Sequence, residues 1–167
     1  MENKKADHVK NPASVAEAQT LWNRDKSEFI SWALGLVGAK PRMRADRIDG
    51  ILEFVESDKK KRKIIVQVKG DKSLTPGMIQ DLLAVLDDEG ADLGLIISLY
   101  RPILSVITDS VHAGSYESEL WKKSFLKIQI RTVGELLEGK RFDIPQTCRP
   151  PKKSARMKKQ NGTTRLL

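Results

Sequence analysis

Two short β-forming runs joined by a charged hairpin constrain this chain more than any other stretch. The first is ADRIDGILEF (residues 45–54), the connector is ESDKKKRK (56–63) and the second run is IIVQVKG (64–70). Adjacent strands with a short polar connection pair antiparallel, so strands are expected at about 48–55 and 64–69. Alternate side chains of a strand share a face. Ile64, Val66 and Val68 therefore point into a core. Gln67 and Lys69 lie side by side on the opposite wall, within reach of Asp49 from the neighbouring strand.

The remaining pattern supplies helices around this pair. Ser14-x-x-Glu17 is a capping box that starts a helix, with Val15, Ala18 and Trp22 on one face. Asp25-x-x-Glu28 offers a second cap, followed by Phe29, Trp32, Ala33, Leu36 and Val37 at amphipathic spacing up to the stop at Gly38. Thr75-Pro76 opens a helix with Met78, Ile79, Leu82, Leu83 and Leu86 on its buried face, ending at Gly90. LGLIISL (93–99) reads as a fully buried strand. A helix after Pro102 carries Ile103, Val106, Ile107 and Val111. KIQI (127–130) is a further strand, and Thr132-x-x-Glu135 caps a last short helix. Ser115–Ser118 reads as a polar loop. The order is α-β-β-α-β-α-β-α, which predicts an α/β fold: a small mixed β-sheet flanked by helices on both faces, its later strands parallel by crossover.

Residues 1–13 read as a flexible lead, 14–145 as one domain and 146–167 as a basic tail. No run of eighteen apolar residues occurs in the 167-residue chain and its first residues lack an apolar leader, so neither a membrane span nor secretion is expected. The single cysteine, Cys148, cannot form an internal disulfide, which points to a cytoplasmic location. With one cysteine and the distant His8 and His112, Cys/His zinc coordination is excluded. Arg149, Lys152, Lys153, Arg156, Lys158, Lys159 and Arg165, with no acidic residue among them, account for nearly all of the net charge of +8. The body is close to neutral but its cations are clustered. Lys40, Arg42, Arg44 and Arg47 precede Asp49, and Lys59, Lys60, Lys61, Arg62 and Lys63 fill the hairpin before Gln67. Both clusters are expected to flank the site and hold a phosphate backbone. Taken alone, each is equally well explained as a solvated surface.

This set of residue types suits metal-assisted cleavage of a phosphodiester. That reaction needs an activated water, neutralisation of the phosphorane and help for the leaving oxygen. Mg²⁺ takes oxygen ligands and retains several waters, so one carboxylate, an amide oxygen and a main-chain carbonyl suffice beside the substrate phosphate. Asp49 is the expected metal anchor, Gln67 ligates or orients through its amide oxygen, and the Val68 carbonyl is a candidate further ligand. Lys69 is placed to stabilise the developing anion or orient the water. Glu28 and Asp46 are auxiliary carboxylates, with capping and ion pairing as their default roles. No phosphate-binding glycine loop is present.

These segments, in this order, resemble the Mrr-like branch of the restriction-endonuclease superfamily, marked by an Asp followed on the next strand by Gln/Glu-x-Lys. The chain is especially similar to the nuclease-like domain at the C-terminus of some bacterial DNA amino-methyltransferases. The resemblance spans about 14–145 and includes FISWALGLVGA, IDG, VQVKG, MIQDLLAVLDDEGAD, LGLIISL, HAGSYES and KIQIRTVGELLEGKRFDIP. It implies the restriction-endonuclease-like three-layer fold, with the family's Asp, Gln and Lys carried over to Asp49, Gln67 and Lys69. One departure is that Arg47 runs directly into Ile48, where relatives commonly carry an intervening glycine. No methyltransferase [DS]PP[YW] motif occurs.

The expected function is a Mg²⁺-dependent DNA endonuclease of a restriction/modification system. Its expected partners are DNA, a DNA methyltransferase subunit and a second copy in a homodimer. The alternative is a non-catalytic DNA-binding or docking domain serving a methyltransferase.

Overall fold

The computed structural model describes residues 11–42, 47–71 and 74–146. Arg44, Asp46, Cys148, most of the N-terminal lead and the basic tail lie outside them. Helix α1 (Val15–Arg24) starts where the Ser14 hydroxyl accepts from the Glu17 N–H, and α2 (Lys26–Val37) where the Asp25 carboxylate accepts from that of Glu28. These caps satisfy main-chain donors that the helix itself leaves free. At the end of α2, Gly38 turns left-handed (φ 72°) and reverses the chain.

The strands follow as β1 (Lys40–Pro41), β2 (Gly50–Ser57) and β3 (Lys60–Lys69). Then come α3 (Pro76–Glu89), β4 (Leu93–Ser98) and α4 (Leu104–His112). A hairpin of β5 (Ser115–Ser118) and β6 (Lys123–Leu126) leads to β7 (Ile128–Thr132) and α5 (Val133–Leu137). Five strands form one mixed sheet in the order β1-β2-β3-β4-β7. As the hairpin chemistry predicts, β2 and β3 are antiparallel, with Gly50 opposite Val66. As the intervening helices predict, β3, β4 and β7 are parallel.

Helices cover both sheet faces, giving a three-layer α/β arrangement. Phe29, Ala33 and Leu34 of α2, with Leu21 of α1, pack on Leu52, Phe54, Ile64, Val66, Val68, Leu95 and Ile97. On the other face Ile79, Leu82, Val85 and Leu86 of α3 and Val106 of α4 pack on Ile65, Ile96 and Ile128. The two-residue period of β3 thus feeds both cores at once: Ile64, Val66 and Val68 to one, Ile65 to the other. Burying side chains of this size contributes about 1.5–3 kcal/mol each. Among the described residues, no helix is long and apolar enough to cross a membrane.

Three expectations are corrected. A short strand, β1, pairs with β2, and its Lys40 and Pro41 suit a sheet edge. The segment Ser115–Ser118 is a strand rather than a loop. It pairs with β6, buries Phe125 and is fastened by Glu56, whose carboxylate accepts from the Tyr116 hydroxyl, the Ser118 hydroxyl and the Leu120 N–H. The register of β2 against β3 shifts between Val55 and Ser57, and such a bulge re-aims the side chain it carries, here Glu56. Along α4 only Val106 and Ser110 are buried, while Ile103, Ile107 and Val111 are exposed together with Leu104.

Candidate functional site

At the carboxyl end of β3 the sheet opens into a cleft of about 410 Å³ lined by Arg47, Asp49, Gln67, Val68, Lys69 and Gly70. Trp22 of α1, Asp71, and Met78, Asp81 and Val85 of α3 complete its wall. The geometry follows from where β2 stops. The Asp49 N–H still donates to the Val66 carbonyl (3.1 Å), but the next position of the ladder is left open. There the Val68 N–H donates to Asp49 Oδ2 at 2.7 Å, so a carboxylate replaces the missing main-chain acceptor. In a regular strand the Val68 carbonyl faces the same side as its N–H, the side on which β2 has ended.

Gln67 is buried, at 6 % exposure, and its amide Nε2 donates to the Arg47 carbonyl at 2.7 Å. Committing the nitrogen leaves the oxygen as the end of the amide available to a ligand. Burial pushes the Asp49 carboxyl up from its ordinary range, against the opposing pull of the Val68 N–H and the Lys69 charge. Lys69 therefore lies near enough to act on Asp49, yet it makes no ion pair among the described residues.

Asp49, Gln67, Val68 and Lys69 thus share one cleft; β-strand parity places Gln67 and Lys69 on one wall, while the Val68 side chain belongs to the opposite core. The donor set suits a hard divalent cation in kind. Asp49 Oδ1 has no partner among the described residues, and the amide and carbonyl oxygens are neutral oxygen ligands. It is sparse in charge. Among the described residues no group of three or more His, Cys, Asp or Glu is arranged to hold a metal ion.

Other candidates are placed elsewhere. Glu28 sits on α2, over the opposite face of the sheet, paired with Arg24 at 3.3 Å and absent from the cleft lining. Arg42 pairs with Glu89 and Arg47 with Asp88, each at 2.9 Å, so both cations lean on the end of α3. Of the two, Arg47 also lines the cleft. Arg44 and Asp46 lie outside the described residues.

The basic hairpin does not flank the cleft. Lys59, Lys60 and Lys61 are exposed at the start of β3, whereas the cleft is at its end. Nine steps along a strand separate Lys60 from Lys69, roughly 30 Å. Arg62 turns to Asp92 at 3.5 Å, and Lys63 Nζ donates to the Glu89 carbonyl at 3.1 Å. Closeness in sequence suggested closeness in space, but an extended chain converts few residues into a long distance.

Five residues of the cleft wall lie outside the predicted site, four with a partial signal in the sequence and one with none. Asp71 continues the alternation of Gln67 and Lys69. Met78, Asp81 and Val85 follow helical spacing on α3. Trp22 carries no such signal, because only tertiary packing brings α1 against Gly70. Comparison of the chain with protein-family models, with curated proteins and with solved structures returns no match.

Proposed function

We propose that the chain is a Mg²⁺-dependent endonuclease-like protein with the restriction-endonuclease-like form of the three-layer fold, acting on DNA within a restriction/modification system. The observation that carries the reading is the meeting of the Asp49 carboxylate, the Gln67 amide and the Lys69 ammonium in one open cleft at the end of β3. In this reading Asp49 Oδ1, the Gln67 amide oxygen and the Val68 carbonyl hold the ion. A bound divalent ion supplies Lewis acidity and a more acidic water. Lys69 orients the attacking water or balances charge on the phosphorane, and Arg47 at the rim, still held by Asp88, adds positive charge where a backbone phosphate would lie.

One observation favours the alternative of a non-catalytic DNA-binding or docking domain, associated with a DNA methyltransferase. Asp49 is the single carboxylate of the proposed donor set, since Asp71 and Asp81 line the cleft without joining it in a ligand cluster. Purified protein incubated with supercoiled plasmid and Mg²⁺ separates the two readings. Nicking by the wild type and none by Asp49→Ala or Lys69→Ala supports the enzyme. Equal traces for all three, with DNA still bound, select the docking domain.

A further inference from the structure

The end of α3 carries Asp87, Asp88 and Glu89 and has no basic residue in its last turn. That is the wrong pole: carboxylates at a helix C-terminus face the negative end of the macrodipole, at a cost of about 0.3–1 kcal/mol each. The helix gains nothing from them, but the neighbouring loop does. Glu89 Oε1 takes Arg42 Nη1 and Asp88 Oδ2 takes Arg47 Nη2, each at 2.9 Å. Arg42 and Arg47 stand on the two arms of the connection between β1 and β2. The arms are closed on one another where the Arg42 N–H donates to the Asp49 carbonyl at 3.0 Å. The Arg47 carbonyl is also the acceptor that fixes the Gln67 amide. A continuous chain of contacts therefore runs from the two α3 carboxylates, through both arms of the loop, to Asp49 and Gln67.

We infer that Asp88 and Glu89 are positioning residues: by anchoring Arg47 and Arg42 they fix the carbonyl that turns the Gln67 amide oxygen into the cleft. The inference deepens the proposed metal-dependent reading and rests on it for the meaning of that orientation. Neither carboxylate lines the cleft. Arg42–Glu89 is the stronger of the two anchors, because its side chains are 36 % and 27 % exposed against 56 % and 62 % for Arg47–Asp88. Exposed pairs are weak, so the effect is expected from both anchors together.

The test uses the full chain with Asp88→Asn and Glu89→Gln combined, and reads three quantities. The first is hydrogen exchange of the Gln67 side-chain amide by NMR, assigned with Gln67→Glu, which needs no metal. It is expected to quicken about fivefold, the scale set by two weak ion pairs. The second is Mn²⁺ affinity by calorimetry with the metal alone, expected to fall by about the same factor. The third is thermal stability, expected to hold or rise, since two anions leave the negative pole of α3. A purely structural role would lower stability and affinity together. The charge swap Arg42→Glu with Glu89→Arg is expected to restore slow exchange relative to either single change. Unchanged Gln67 exchange in the double variant overturns the inference, whatever the protein does with metals. Quickened exchange in a protein whose wild type binds no Mn²⁺ upholds the positioning and removes the catalytic reading instead.

Discussion

Asp49 carries two duties that pull in opposite directions. It completes the β2–β3 ladder by accepting from Val68, and burial at that place disfavours its charge. Its folded pKa is raised, so the folded state holds the proton to higher pH than the unfolded chain does. Stability attributable to this group is therefore present below the unfolded pKa and lost as pH rises through the folded one. Asp49→Asn keeps an oxygen acceptor for Val68 and removes the charge. Its expected outcome is equal or greater stability at neutral pH and, under the proposed endonuclease reading, lost nicking. The stability difference from wild type should grow with pH across the carboxylate range and then level off, as read by urea melts at several pH values. Metal affinity should follow the opposite trend, weakening on acidification, because the ligand must be ionised.

Gly70 is the second residue with a clear constraint. A methyl group there would stand 2.4 Å from the Trp22 ring, closer than non-bonded carbons approach. Trp22 is itself held by edge contact with Phe29 and by Lys26 above its ring. Gly70→Ala is expected to cost about 1–3 kcal/mol, the range for forcing extra volume into a packed site. Because Gly70 follows Lys69 directly, the same change should slow nicking. Denaturant midpoints and plasmid assays on one preparation check both.

At the scale of elements, β2, β3 and α3 were legible because local rules and tertiary structure agree. Alternating hydrophobicity set the two faces of β3, and the Ser14, Asp25 and Thr132 caps sit where their sequence patterns put them. The β5–β6 hairpin was not legible, because its strands are short and mostly polar and depend on a carboxylate sixty residues earlier. Burial alone would raise the pKa of Glu56, but the Leu120, Tyr116 and Ser118 donors outweigh it and hold it below its ordinary value. A depressed carboxylate contributes stability above its unfolded pKa and loses that contribution as pH falls through the folded one. Glu56→Gln should therefore loosen the hairpin at neutral pH by about 1 kcal/mol and remove this acid sensitivity. Hydrogen exchange at Leu120 and Trp121, compared at neutral and acidic pH, measures it.

At the scale of the whole molecule, the lysine hairpin stands apart from the cleft among the described residues. Lys59, Lys60 and Lys61 project from one end of the sheet, and Asp49, Gln67 and Lys69 meet at the other. If the hairpin grips DNA, it does so at a distance from the cleft. Converting these three lysines to Gln should reduce affinity and flatten the log–log salt dependence by up to about three units. The cutting rate at saturating DNA should stay unchanged. A reduced rate at saturation would mean that the hairpin works on the scissile phosphate directly.

The bond between Asp49 and Val68 has a consequence for lineage. A side chain that ends a β-ladder has a structural role in any protein of this shape, whether or not the protein cuts a nucleic acid. A protein of this shape without hydrolysis would still need an oxygen acceptor at that position, Asp or Asn, to keep its sheet from fraying. Survival of that residue among relatives is thus a poor diagnostic of a working nuclease. Among the described residues the lysine side chain at 69 makes no ion pair that would give it such a second employment, and its loss is the change to watch for.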